Sequence, residues 1–535
     1  MRSLLRWVDM RAPRGLIRAL AAVSCGAAIA ACGTAGTSSS SGAAATAGSG
    51  TAATAGSGAT GTVSGDTTSA VLSRAAARIP SGDWPTFGYD AAHSGAGPAS
   101  GITAANARRL LRRRVTLDTT IDSAPIELHA VTVRGRPRDV IVVTGDNGRT
   151  VAVDAGTGAR LWEYYPRGDQ SQVTDTTPVA DPGRTAVYAA SPDGTIHKLA
   201  LATGRQLWAR SITTDPGHEK MDSALTVTGR YVIATTGGYY GDAPPYDGHV
   251  VAIDRATGRI GHVFNAECSN QHALISPTAC PVTATRGGSA FWARAGAIVE
   301  PGSGNLLVVT GNGPFNGSTD WGDTVLELAP DASRVLHSWT PRNERTLFET
   351  DTDLGSTGPA LLGTVGGRRL AVQGGKQGVL SLLDVTRLNG TTGPASSRLG
   401  GELQQISAPG GQDVFTQPAV WHDGSRTIVF VATNAGTAAY TVTGGSRPRL
   451  RTLWSNGVGG TSPVLSGGLL YVYDQQDGRV DIRRPLTGIL VRALPAGTGH
   501  WNSPIVVGGR VIEPTGDYHA GRGPSTLEIW HLPGR

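Results

Sequence analysis

The chain has 535 residues, 39% of them hydrophobic, with 47 basic and 41 acidic side chains and a formal net charge of +6. Five of the basic residues and one acidic residue fall in the first 32, so the remainder carries 42 against 40, a net charge of +2. That balance excludes a nucleic-acid binder held by charge, and no basic patch is expected, because only Lys198, Lys220 and Lys376 are lysines and arginine supplies the rest.

Residues 1–32 read as an export signal: Arg2, Arg6, Arg11, Arg14 and Arg18 precede the apolar run Ala19–Ala31. Ile29–Ala30–Ala31–Cys32 resembles a bacterial lipobox, which implies acylation of Cys32 and a membrane-held, extracytoplasmic protein; an ordinary cleaved secretory signal is the alternative. No later stretch approaches 18 consecutive apolar residues, the length needed for a spanning helix. Residues 33–80 are Ser, Gly, Ala and Thr with almost no large apolar side chain, a composition that cannot offset its ordering entropy and predicts a flexible tether. One folded domain, 81–535, is expected to follow.

It opens with Asp83–His93, DWPTFGYDAAH, more apolar than a linker needs, and Leu110–Leu117 then reads as a lone strand. From Ile141 a grammar begins that returns along the chain. Ile141–Thr144 is β-branched, Asp146–Asn147–Gly148 is hairpin-turn chemistry, Thr150–Val153 is a second strand, Gly156–Thr157–Gly158 a second turn, and Leu161–Trp162 starts a third strand. Ala186–Trp208 repeats it, with Gly204 four residues before Trp208 as Gly158 is before Trp162. Tyr231–Phe264 repeats it with His262 in the tryptophan's place, and Leu306–Trp339, Leu370–Leu388, Thr427–Trp454 and Leu469–Val491 are looser copies.

A small or polar residue plus proline recurs ahead of the units at Pro125, Pro178, Pro418, Pro463 and Pro504, giving eight units at a period of about 40 to 60 residues. Four-stranded units at that period predict an all-β, eight-bladed β-propeller. The last unit, Ser503–Leu532, has three strand-like runs, so Leu110–Leu117 is expected to supply the fourth and close the ring. Cys268 and Cys280, an even pair in an exported domain, are expected to form a disulfide, contributing about 3 kcal/mol by loop closure. They lack the C-x-x-C spacing of a redox pair.

WPTFGYDAAHSG and the recurring D-x-x-T-G-x-x-L-W pattern resemble the eight-bladed PQQ-like propeller family, which holds quinoprotein alcohol dehydrogenases and also non-catalytic envelope assembly proteins. Three stretches are similar to the dehydrogenase branch. The resemblance implies that Asn312 in VVTGNGPFN binds calcium, that Asp351 or Asp353 in TDTDLGSTGP is the catalytic carboxylate, with Asp353 also near the metal, and that Lys376 in GGKQGVLSLLD meets the oxygens of the quinone PQQ. Each also has a plainer reading as a turn residue, a backbone acceptor or a solvated hairpin tip.

The chain departs from that branch in three places. The adjacent cysteine pair of many family dehydrogenases is missing, no C-x-x-C-H haem motif follows, and Gly237–Asp242, with Tyr240 and Asp242, stands where a calcium-binding glutamate is expected. His218, His249, His272 and His519 fall in loop-like positions and receive no role. On sequence the favoured function is therefore an envelope binding or scaffold module, a monomer that meets an envelope protein or polymer through its blade loops. A calcium- and PQQ-dependent dehydrogenase of an alcohol or polyol is the alternative.

Overall fold

A computed structural model describes residues 79–534, apart from 169–171, 240–243, 281–287, 390–393 and 522. The signal segment, Cys32, most of the tether, Tyr240 and Asp242 lie outside the described residues. Ser73–Arg535 forms one compact unit.

Among the described residues the strands make eight four-stranded antiparallel sheets and one two-stranded pair. In chain order blades 1 to 8 span 126–164, 179–211, 226–265, 298–339, 360–407, 419–456, 464–495 and 505–531. Leu111–Leu117 completes the last, pairing antiparallel from Leu111 opposite His531 to Leu117 opposite Ser525. The closure expected from the sequence is therefore present, and a charge clasp reinforces it: Arg112 donates twice to the buried Glu528 carboxylate, at 2.7 Å each.

The repeat pattern has a local and a non-local cause. Asp154 Oδ1 accepts the Thr157 backbone N–H at 2.8 Å and Asp254 Oδ1 that of Thr257 at 2.9 Å, so D-x-x-T-G is an aspartate-capped turn. Its glycine then takes a positive φ, and in blades 2 and 3 it lies under the tryptophan of the blade before. A Cβ on Gly204 would fall 2.5 Å from Trp162, and one on Gly258 2.8 Å from Trp208. The indole N–H groups also reach into the next blade, from Trp162 to the Leu201 carbonyl at 2.7 Å and from Trp454 to that of Pro485 at 2.6 Å. In blade 3 His262 keeps the position and approaches Asp331 of blade 4 at 3.4 Å.

Asp83–His93 explains its apolar composition by lying across the ring. Trp84, fully buried, bridges to Glu127 of blade 1. The following backbone exchanges hydrogen bonds with blades 2, 4, 6 and 7 through the Pro85, Ala91, Ser94 and Gly95 carbonyls. His93 reaches Thr226 of blade 3 at 2.8 Å.

Candidate functional site

The three segments singled out by resemblance come from different places in the fold and meet. Asn312 lies between strands Leu306–Val309 and Val325–Leu328 of blade 4, Asp351 and Asp353 in the crossing to blade 5, and Lys376 between Arg368–Gln373 and Val379–Asp384 of blade 5. The Asn312 backbone N–H donates to Asp353 Oδ1 at 2.8 Å, and its side-chain amide donates to Asp351 Oδ1 at 2.8 Å. Lys376 Nζ ion-pairs with Asp353 Oδ2 and lies 3.9 Å from Asp351 Oδ1, while its backbone N–H donates to the Asp353 carbonyl at 2.9 Å. Asn312 is 8% exposed and Asp353 2%. Asp351 sits nearer solvent with a left-handed φ of 55°, a conformation aspartate tolerates better than most residues.

Several partners of this group carried no sequence signal. Gly311 must be glycine, since a Cβ there would fall 2.3 Å from Asp353 Oδ1 and 2.8 Å from the ring of Trp292. The Trp292 indole is half-buried between the backbones of Gly237 and Gly311 and gives the site a flat aromatic wall. Asp323, fully buried, accepts the Leu354 N–H at 2.9 Å. Burial, and then the Asp353 charge, holds its carboxyl well above the usual range.

The third unit is not short of carboxylates, as its sequence suggested. Gly237–Gly238 pairs with Glu219–Lys220, placing Glu219 across from Gly238. Glu219 accepts the Asp247 N–H at 3.1 Å and lies 3.2 Å from His249 Nε2. Glu267 takes the Ser289 hydroxyl at 3.2 Å, and the Ser289 N–H donates to the Asn312 carbonyl at 3.0 Å. Burial pushes Asp247 up to about 8 and Glu267 up to about 9. His249 begins a strand, His249–Asp254, and is buried, correcting its loop-like reading. Burial disfavours its charge, but the Glu219 and Asp247 carboxylates outweigh that and hold it at about 9.

A further ring forms from one repeated position, the fourth residue before each blade's first strand. In blades 1 to 4 and 8 these are Asp122, Asp175, Asp222, Arg294 and Trp501. Arg294 donates to the Asp122, Asp175 and Asp222 carbonyls at 3.1, 3.4 and 3.0 Å. Lys220 Nζ lies 2.9 Å from Asp222 Oδ1 and 3.7 Å from Asp175 Oδ2. The residues brought together here are far apart in sequence, yet blade equivalence makes them neighbours.

The Asn312 group fits a hard cation. Asn312 Oδ1 is buried and has no hydrogen-bond partner among the described residues, beside the carboxylates of Asp351 and Asp353. Such an all-oxygen donor set suits calcium. With Lys376 and the Trp292 face next to it, the same space offers a charge partner and a stacking surface for an anionic quinone. Elsewhere, Cys268 and Cys280 form the expected disulfide.

The profile of a family described as outer membrane protein assembly factor BamB matches residues 104–279. Quinohemoprotein alcohol dehydrogenase ADH IIB of Pseudomonas putida is 26% identical over 312 residues, covering 51% of this chain and 43% of that protein. Quinohemoprotein alcohol dehydrogenase of Comamonas testosteroni is 30% identical over 196 residues, covering 34% and 25%. The chain thus spans less than half the length of these curated relatives. Among solved structures, the Comamonas testosteroni enzyme superposes with a TM-score of 0.61 at 19% identity, covering 85% of this chain and 81% of that one. A europium-containing methanol dehydrogenase gives 0.59 at 16%, covering 84% and 98%. By its eight blades, its repeat grammar and these matches, the chain belongs to the PQQ-like β-propeller family.

Proposed function

We propose that the chain is a quinoprotein-type dehydrogenase that takes PQQ and calcium beside Asn312, Asp351, Asp353 and Lys376 and oxidises an alcohol. The observation that supports this is the convergence of those four side chains from three separate loops into one hydrogen-bonded group. It reverses the preference for a scaffold module, which rested on missing sequence features and not on any partner surface. The quinohemoprotein relatives point the same way.

Asn312 Oδ1, Asp351 and Asp353 would hold the cation, and Lys376 with the Trp292 face the quinone. Bound there, the pair supplies a two-electron oxidant and a Lewis acid. Asp353 is the base in this reading, because its carboxylate is fixed by the Asn312 N–H and by Lys376 and can take the hydroxyl proton of an alcohol. Lys376 balances the negative charge of the group before the substrate arrives. The Trp292 wall keeps water from one side. No C-x-x-C-H motif is present, so the assay uses an added dye as electron acceptor.

The test titrates purified protein with PQQ, with and without calcium, following tryptophan quenching, and then measures dye reduction with simple alcohols. Saturable, calcium-dependent quenching with alcohol-dependent dye reduction is the expected result. Absence of binding at tens of micromolar PQQ defeats the reading.

A further inference from the structure

We infer that His500, His519 and Asp517 form a binding site for a divalent transition ion of the zinc type, separate from the Asn312 group. His500 is held in the arrangement that metal-ligating imidazoles take, with one ring nitrogen tied to a carboxylate and the other left open. Its Nδ1 lies 2.8 Å from Asp122 Oδ2, and Asp122 is itself fixed by the Trp501 N–H at 2.7 Å. His500 Nε2 is buried and has no hydrogen-bond partner among the described residues. A buried imidazole nitrogen without a partner is costly unless something fills the place beside it.

A second imidazole stands next to it. The rings of His500 and His519 are 4.7 Å apart and nearly perpendicular, at 89°, which is compatible with two imidazoles sharing one ion. Ligand atoms of Asp122, His500 and Asp517 lie within 4.8 Å of one another. His500 is buried while His519 is exposed, so an entry path exists from solvent.

Oxygen donors gather at the same place. Among the described residues, the carboxyl groups of Asp122, Asp175, Asp222 and Asp517 surround this end of the ring together with Lys220 and Arg294. Mixed nitrogen and oxygen donors favour zinc, cobalt or nickel over calcium.

The experiment treats the full chain with chelator, removes it, and adds cobalt(II) or zinc(II). Retained metal is counted after desalting, and cobalt is followed by its visible d–d absorption. One ion per chain and a visible cobalt band are expected. His519→Ala, at an exposed position, and Asp517→Asn should each weaken binding by at least about tenfold, and His500→Ala should abolish it. Asp353→Asn should leave it unchanged, which separates this site from the proposed quinone site. No retained ion, or cobalt binding indifferent to His519→Ala and Asp517→Asn, overturns the inference.

Discussion

Arg112 and Glu528 stand 416 residues apart in sequence and form a two-pronged ion pair across the seam of the ring. Glu528 is 2% exposed, and Arg114 adds a second contact at 3.2 Å. The pair ties the first strand of the domain to the last. Leaving Glu528 buried without its main partner should cost about 3 kcal/mol. Urea unfolding of Arg112→Ala should show that loss, and Arg112→Ala/Arg114→Ala a larger one. Unchanged midpoints in both would mean the seam is held by its backbone ladder alone.

Blade-to-blade order depends on Gly204 under Trp162. Alanine at 204 meets two obstacles, a φ of +71° and an indole carbon 2.5 Å from the new Cβ. The backbone part alone is about 1 to 2 kcal/mol. Trp162→Ala, which removes a mostly buried ring and its bond to the Leu201 carbonyl, should cost about 3 to 5 kcal/mol. Because both changes act on one contact, the double variant should fall short of their sum.

The Cys268–Cys280 bond closes a short loop, with a sequence separation of 12. Replacing both cysteines by serine should lower stability by about 3 kcal/mol without changing the fold. Thiol labelling of the unreduced wild type should find neither cysteine free.

How much of this was legible depended on how local the cause was. The aspartate-capped turn, the following glycine and the tryptophan sit within nine residues of one another, so the repeat, the blade count and the closing strand could be read directly. Asn312, Asp353 and Lys376 were legible only through resemblance, since nothing in their spacing says that they touch. Trp292, Asp323, Glu219 and Asp247 gave no signal, because their meaning arises from neighbours that the ring alone brings close. His249 was misread for a related reason: Asp247–Gly248 looks like a turn, and burial of the strand that begins after it is decided by blade packing. The repeated position of Asp122, Asp175, Asp222 and Arg294 was in the sequence, marked by the proline three residues on in the first two, but leucine and alanine replace that proline in the next two.

The buried group Asp247, His249 and Glu267 should make stability fall as pH rises. Asp247 and Glu267 titrate near 8 and 9 in the folded chain against 3.8 and 4.5 ordinarily, and His249 near 9 against 6.5. Each binds its proton more tightly when folded. The carboxyls therefore penalise folding progressively above their ordinary values, up to about 8 or 9. The histidine's stabilisation, complete below 6.5, is lost through about 9. All three slopes have one sign. Thermal midpoints of Glu267→Gln measured from pH 5 to 9 should decline less steeply than wild type, with the curves furthest apart at the alkaline end. An equal decline in the variant would show that Glu267 is already ionised in the folded chain across this range.

The last prediction separates roles within the Asn312 group. Asp353 and Lys376 are ion-paired, so removing either disturbs the other, and activity alone cannot distinguish a base from a charge partner. Asp353→Asn keeps the volume and can still accept the Asn312 N–H through its amide oxygen, but it cannot take a proton. It should therefore bind PQQ in the presence of calcium with little change and lose about 10²- to 10⁴-fold in kcat, the range general bases contribute. Lys376→Ala leaves the buried Asp353 carboxylate without its cation and removes a charge partner for the quinone, so it should weaken PQQ binding itself. Asn312→Ala deletes the unpartnered Oδ1 and should raise the calcium concentration needed for binding while leaving binding at saturating calcium intact. Asp323→Asn keeps the volume and an acceptor for the Leu354 N–H and should change kcat several-fold at most. Measured together by quenching titration and dye reduction, these variants give four different patterns. If Asp353→Asn retains wild-type turnover while Lys376→Ala loses binding, the base lies elsewhere, and Asp351, with its oxygen bonded to the Asn312 amide, is the carboxylate to change next.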